Sequence, residues 1–381
     1  MRIALNAWFL DQPGTGSGQY LRGLLRAFAA TAPEHQFLLA VPSEPVEWQT
    51  CGLRVEAWAP PARFWRSNPG KVLFEQVAFP WVCRRWGADV AHVPYWGSPL
   101  WATVPVVVTV HDLIPLLLPA YRGGPLVRLY TRLVAASARQ AAAVVTDSLA
   151  SQQDIGTHLH LPGGRVHCVY LAAGEHFSPD PTPDDVTIRR QHGLSGRYVL
   201  YLAGHDVRKN VAGLLEAFAI VAQADDDATL VIAGQLPERA RRGSPLFDPR
   251  PLANALGIAN RVRFVGWVQE GHKPALYRGA ACAVFPSRYE GFGLPVLEAL
   301  ACGTPLVTSS TSSLPELLGD AGFAVDPDDV NGLAGAILSC LVDDVLTAEL
   351  RKRGPSQAAR FSWFRTAQAT LAVYQKVCNH P

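Results

Sequence analysis

The densest chemistry in the chain lies in SRYEGFGLPVLEALACGTP (287–305), where Glu290 and Glu298 stand around Gly291 and Gly293. The glycines make an irregular loop with exposed amides, and Pro295 suits the first position of a helix. Glu298 is then expected in that helix's first turn. A carboxylate there accepts both vicinal hydroxyls of a ribose, or merely favours the helix dipole. Glu290 falls on the loop, so the two carboxylates do not share one helix face. A second segment, AGHDVRKNVAGLLEAF (203–218), sets Arg208 and Lys209 just before Asn210, an expected N-cap, and an apolar helical face of Val211, Leu214, Leu215 and Phe218. Two cations beside the positive end of a helix make a diphosphate site. In VTVHDLIP (108–115), His111 and Asp112 close an apolar run. His111 there can bond a substrate hydroxyl, meet a developing charge, or serve structurally against a neighbouring carbonyl. Finally, Gly14, Gly16 and Gly18 in PGTGSGQYLRGLL (13–25) let the backbone approach an anion closely. Gln19 replaces the third glycine of G-x-G-x-x-G, so this is not the dinucleotide fingerprint.

These residues need elements to hold them. Short runs rich in Val, Ile, Leu and Ala alternate with helical patterns. Strands are expected at 2–7, 36–41, 54–58, 88–94, 104–111, 141–148 and 166–170, then at 197–203, 228–234, 262–267, 282–287, 305–310 and 322–327. Runs apolar on both faces mean strands covered by helices on both sides, hence parallel sheets. The Pro- and Asp-rich segment 173–195, centred on HFSPDPTPDD, interrupts the pattern and reads as a linker. The expected fold is α/β, with a Rossmann-like domain over 1–175 and a second over 195–355, facing each other across a cleft. A terminal amphipathic helix is expected over 361–378. Open parallel sheets bind ligands at the carboxyl ends of their strands, which is where each candidate above falls.

Composition narrows the function. With 381 residues, 49% hydrophobic and 17% charged, the chain is globular and long enough for two domains. A net charge of +2 gives no nucleic-acid footprint. The seven cysteines (51, 83, 168, 282, 302, 340, 378) are widely spaced, without C-x-x-C, and read as reduced core residues of a cytoplasmic protein. No Cys/His cluster has zinc spacing; His158-Leu-His160 reads as a solvated loop. The D-x-D strings at 225–227 and 326–328 read as turns, not metal ligands. No apolar run is long enough to span a membrane, and the N-terminus lacks a signal peptide.

Taken together these segments resemble glycosyltransferase family 4, which has the GT-B fold and an E-x7-E signature, here Glu290 to Glu298. GSGQY (16–20) is similar to the family's glycine loop and HDLIP (111–115) to its histidine motif. RKN (208–210), VRFVGWV (262–268), TSSLPE (311–316) and FSW (361–363) match in order. The resemblance covers nearly the whole chain. It departs at Thr15, where the family commonly has glycine, and at LAAGEHF (171–177), where an Asn-Gly pair is common. It implies a retaining transferase using a nucleotide-diphosphate sugar, with no metal and no other cofactor. On the matching positions, Arg208 and Lys209 hold the pyrophosphate and Gly16 offers an amide to the distal phosphate. Glu298 takes the ribose; Glu290, with the backbone of Phe292, Gly293 and Leu294, takes the sugar. His111 stands near the reacting carbon, and the loop at Trp267 and Val268 meets the base. The HDLIP form resembles mannosyl- and rhamnosyltransferases, which favours GDP-mannose and leaves UDP-glucose-type and dTDP-rhamnose donors open.

The acceptor is expected to be a glycan or lipid-linked glycan against the first domain. In RFWRSNPGKVLFEQVAFPWVCRRWG (63–87), Trp65, Trp81 and Trp86 interleave with Arg63, Arg66, Lys71, Arg84 and Arg85. This suits peripheral contact with the inner face of an anionic membrane, or else a core of tryptophans under ordinary surface arginines. Two rival functions fit the same residues: a GT-B-like nucleotide-sugar 2-epimerase or hydrolase, which needs no acceptor, and a non-catalytic nucleotide-sugar-binding subunit. The joint presence of His111, Arg208, Lys209, Glu290 and Glu298 speaks against the latter.

Overall fold

A computed structural model describes residues 1–42, 54–58, 67–237 and 245–379. Cys51, Arg63, Trp65 and Arg66 lie outside the described residues. The chain forms two compact units, Met1–Leu171 with Ser362–Pro381, and Ala172–Phe361.

The first unit is built on β1 (Arg2–Asn6), β2 (Gln36–Ala40), β3 (Arg54–Trp58), β4 (Val90–Val93), β5 (Val106–Thr109), β6 (Ala143–Thr146) and β7 (Val166–Cys168). All pairings are parallel, in the order β3-β2-β1-β4-β5-β6-β7. The second carries β8 (Val199–Leu202), β9 (Leu230–Ala233), β10 (Val262–Gly266), β11 (Cys282–Phe285), β12 (Leu306–Ser309) and β13 (Gly322–Val325), also parallel, in the order β10-β9-β8-β11-β12-β13. Central strands are buried along their whole length, as their unbroken apolar runs require. In both sheets the order reverses beside the first strand, between β1 and β4 and between β8 and β11. Such a reversal splays the connections to opposite faces and opens a crevice at the strands' carboxyl ends. The fold is GT-B, with two Rossmann-like domains.

The segment 173–195, expected to be a linker, is structured within the second unit. It contains the helix Asp185–Gln191, and Phe177 is buried. Arg278 forks onto Asp185 at 2.7 and 2.5 Å, and Thr182 donates to Asp185 at 2.6 Å. The polar residues that suggest a flexible joint are spent on these contacts. His158 and His160 are likewise at a helix end, not in a loop: the helix Leu149–Leu159 stops where His160 turns left-handed.

The helix Trp363–Asn379 belongs to the first unit. Its Trp363 ring lies where a β-carbon at Gly23 would be, so the helix Gly16–Thr31 can approach only because that position is glycine. Thr366 donates to the Tyr170 carbonyl at 2.7 Å, and the Tyr374 hydroxyl reaches His92 Nδ1 at 2.5 Å. Four of the described cysteines (83, 282, 302, 340) are buried, and none of the six described forms a disulfide.

Candidate active site

In the second unit, the loop after β8 supplies Arg208 and Lys209 on a single 3-10 turn, Val207–Lys209. The loop after β11 supplies Glu290. These loops flank the β8/β11 reversal, and the side chains meet there. Arg208 donates to Glu290 Oε2 at 2.6 Å and Lys209 to Oε1 at 2.5 Å. Arg208 also pairs with Asp206 at 2.9 Å and donates to the Tyr289 carbonyl at 3.0 Å. Burial alone would raise the Glu290 pKa, but Lys209 and Arg208 bring it down to about 2. The result is a half-buried cluster in which Glu290 bridges both cations and Asp206 holds Arg208 from a second side.

Asn210 precedes the helix Val211–Ala224, but its side chain does not cap it. Its backbone is left-handed, with φ 55°, and its amide nitrogen donates to the Pro327 carbonyl at 2.7 Å while its oxygen accepts from Arg288. The expected cap is replaced because Asn210 instead braces the loop after β13. No side-chain cap then competes for the first amides of that helix, just beyond the cation pair.

The loop 290–293 is held from β12's far side. Ser312 accepts from the Glu290 amide at 2.9 Å, and Ser313 donates to the carbonyls of Glu290 and Phe292 at 3.0 and 2.6 Å. Gly293 has φ 110°, and a β-carbon there would press on Leu314. This conformation starts the helix at Leu294, one residue before Pro295 (Leu294–Ala301). Glu298 therefore lies in the second turn, not the first, and the dipole explanation loses its footing. Its carboxylate is buried, accepts from Tyr277 at 3.1 Å and lies 3.5 Å from Lys273 Nζ. Burial raises its pKa, and Lys273 only partly offsets that. Beyond β10, Trp267 is exposed and Val268 buried, with Gly266 at φ 70° turning the chain between strand and loop.

In the first unit, the helix Gly16–Thr31 begins at Gly16, with Thr15 as N-cap accepting from the Gly18 amide at 3.1 Å. The three glycines differ. Gly14 and Gly16 have open space around them, whereas a β-carbon at Gly18 would overlap the Gln12 carbonyl. Gly18 is thus required by the turn, and Gly14 and Gly16 are the open positions.

His111 follows β5, and its Nδ1 lies 2.6 Å from Asp147 Oδ2. Asp147 follows β6 and is almost completely buried. Burial alone would lower the His111 pKa, but Asp147 holds it above the ordinary value. Tyr20 meets the His111 ring edge to face, with centroids 5.1 Å apart. The Tyr20 hydroxyl contacts Thr109 at 3.2 Å, Thr109 contacts His92 Nε2 at 2.8 Å, and His92 meets Tyr374. His111 is thus bonded to a carboxylate, with the Pro94 backbone against its other side. A glycine-loop residue and a terminal-helix residue reach its surroundings through one buried polar chain. Asp147 was not singled out from the sequence. The signal is the parallel register: Val107, Val108 and Thr109 face Ala143, Val144 and Val145, and the same offset carries His111 to Asp147.

The D-x-D strings close turns on themselves: Asp225 accepts from the Asp227 amide and Asp326 from the Asp328 amide, each at 2.9 Å. Of the basic aromatic stretch, Trp86 is partly buried under the Arg2 guanidinium, 4.3 Å from its ring. Lys71 is bonded to the buried Glu75 at 3.1 Å. Trp81, Arg84 and Arg85 are exposed.

Residues 184–358 match the model for glycosyl transferases group 1, and residues 14–172 match glycosyltransferase family 4. O-antigen chain mannosyltransferase B of Escherichia coli is 31% identical over 71% of this chain and 70% of its own length. The MMP alpha-(1->4)-mannosyltransferase of Mycolicibacterium hassiacum is 31% identical over 76% of this chain and 68% of its own. Among solved structures, sucrose-phosphate synthase from Thermosynechococcus elongatus superposes with a TM-score of 0.76 at 23% identity, covering 100% of both chains. The chain belongs to the family 4 glycosyltransferases and is an enzyme of that class.

Proposed function

We propose that the enzyme moves a mannosyl group from GDP-mannose to a hydroxyl of a glycan or lipid-linked glycan, with retention and without a metal ion. The observation that carries this reading is the Arg208–Lys209–Glu290 cluster at the β8/β11 reversal. Two fixed cations there can donate hydrogen bonds to a departing nucleoside diphosphate in a half-buried setting, where such bonds are stronger than in water. Gly16 offers its amide to the distal phosphate, and Glu298, preset by Tyr277, accepts the ribose hydroxyls. Phe292, Gly293 and Leu294 present backbone to the sugar, Val268 bounds the base, and His111 stands at the reacting carbon. Two relatives named as mannosyltransferases support the choice of sugar. A thermal-shift panel of GDP, UDP and dTDP with their sugars tests the donor, and transfer is then assayed with and without EDTA. Stabilisation by UDP or dTDP alone would refute the base assignment, and loss of activity on chelation would refute the metal-free mechanism.

The acceptor side is proposed to contact an anionic membrane face. Leu73, Val77 and Trp81 are exposed at four-residue spacing along the helical stretch 68–86, and Trp101 is 76% and Leu126 82% exposed. Gln76 ties that stretch to the loop at 98–100, and Tyr130 ties it to the helix Pro125–Gln140. Arg84, Arg85, Arg122 and Arg128 are exposed, and residues 113–146 contain no acidic side chain. Apolar side chains ringed by cations fit a bilayer interface. Sedimentation with vesicles should show binding to anionic but not zwitterionic lipid, reduced by Trp81→Ser with Trp101→Ser. Equal recovery with both lipids would refute it.

A further inference from the structure

We infer that Asp147 is a positioning residue for His111, fixing its Nδ1 proton and so leaving Nε2 as the ring nitrogen for any further bond. This rests on the catalytic reading of His111 and adds a residue to it. The pairing is built by the sheet. β5 and β6 are adjacent, parallel and in a register that sets residue 111 opposite residue 147, so both side chains leave the same face of neighbouring strand ends. The contact is 2.6 Å, and the Asp147 side chain is only 3% exposed. A carboxylate that buried persists only when paired or otherwise compensated. Two features compensate Asp147: the imidazole, and the positive end of the helix Leu149–Leu159, which begins just after it with Ser148 as cap.

The ring cannot readily turn away. The Ser151 hydroxyl donates to the His111 carbonyl at 3.1 Å, and Tyr20 packs edge-on against the ring. Nε2 is buried against the Pro94 backbone, which adds to the preference for the charged ring. With Nδ1–H committed to Asp147, Nε2 donates a proton to a sugar oxygen when the ring is charged and only accepts when it is neutral. The groups around His111 are Asp147 after β6, Asp112 beside it, His92 on β4 and Tyr20 on the helix Gly16–Thr31. His92 is buried and stays uncharged, the effect of burial reinforced by His111. Asp147 supplies the field that lets His111 hold a positive charge despite burial.

The test is Asp147→Asn, which keeps shape and removes charge, studied in the full chain beside His111→Ala and the double variant. Nitrogen-15 spectra assign the His111 ring by its absence in His111→Ala. In the wild type Nδ1 should carry the proton, and Asp147→Asn should lower the ring's pKa by about 1 unit or more. The alkaline limb of kcat should move to lower pH by the same amount, with donor KM nearly unchanged. Above that limb, turnover should fall about 10-fold for each unit the limb moves. The double variant should be no worse than His111→Ala, because the two act as one unit. A pH profile unmoved by Asp147→Asn, or additive losses, would overturn the inference even if His111→Ala is inactive. Full turnover by His111→Ala would overturn the catalytic reading itself, and the spectra would still report whether Asp147 holds the ring.

Discussion

His92 offers a way to test the buried polar chain through stability. Its ring is fully buried between Thr109 and Tyr374, and burial, reinforced by His111, lowers its pKa from 6.5 to about 3. The unfolded chain therefore takes up a proton as pH falls below 6.5, while the folded chain does not until about 3. The neutral ring's contribution is intact above 6.5 and is lost progressively below it. At pH 5 the loss is about 2 kcal/mol, at 1.36 kcal/mol per unit. For a unit of this size that lowers the melting temperature by about 4–8 °C. The comparison is wild type against His92→Gln, whose amide can still donate to Thr109 and accept from Tyr374 but cannot titrate. Melting of each at pH 7 and pH 5 should show the larger acid drop in the wild type. Carboxylates and His111 titrate in both proteins and cancel in the difference. Equal drops would refute the claim that His92 is held uncharged by its surroundings.

Tyr277→Phe removes a hydrogen bond to the buried Glu298 carboxylate, worth about 1.5 kcal/mol or more. Donor KM should rise on the order of 10-fold with kcat little changed; an equal fall in kcat would place Glu298 in the chemical step. Gly23→Ala sets a methyl into the Trp363 ring and should cost about 1–3 kcal/mol, seen as a lower melting temperature; no change would mean the terminal helix is not seated on that glycine. Gly293→Ala forces alanine into φ 110° against Leu314, at about 1–3 kcal/mol. It should weaken donor binding more than it lowers melting, and the reverse order would show that the loop does not position the donor.

The thirteen strands among the described residues were all legible from the sequence, the central ones because burial on both faces leaves little room for polar residues. The expected spans ran one or two residues long at most ends. Arg208, Lys209 and Glu290 could be placed at strand ends from turn residues alone. That Glu290 would bridge both cations could not, because it depends on β8 and β11 being neighbours. Asp147 was hidden for the same reason: register relates residues far apart in sequence, and a lone Asp after a strand otherwise looks like a turn. Local rules also misplaced two roles. Gly293 starts its helix a residue early and carries Glu298 into the second turn, and Asn210 spends its amide on a distant carbonyl. The Pro- and Asp-rich segment read as a linker because composition does not reveal that Arg278 waits to pin it.

The docking of Trp363–Asn379 on the first unit has a consequence for how the molecule comes into being. During synthesis the second unit, an unbroken stretch, can reach its folded state while the first still lacks a helix. Until that helix arrives, His92 has no Tyr374 and Gly23 faces no indole. The histidine half of the enzyme is thus completed last, and a ribosome that stalls before Ser362 would release a chain able to fold its cation pair but not to finish the surroundings of His111.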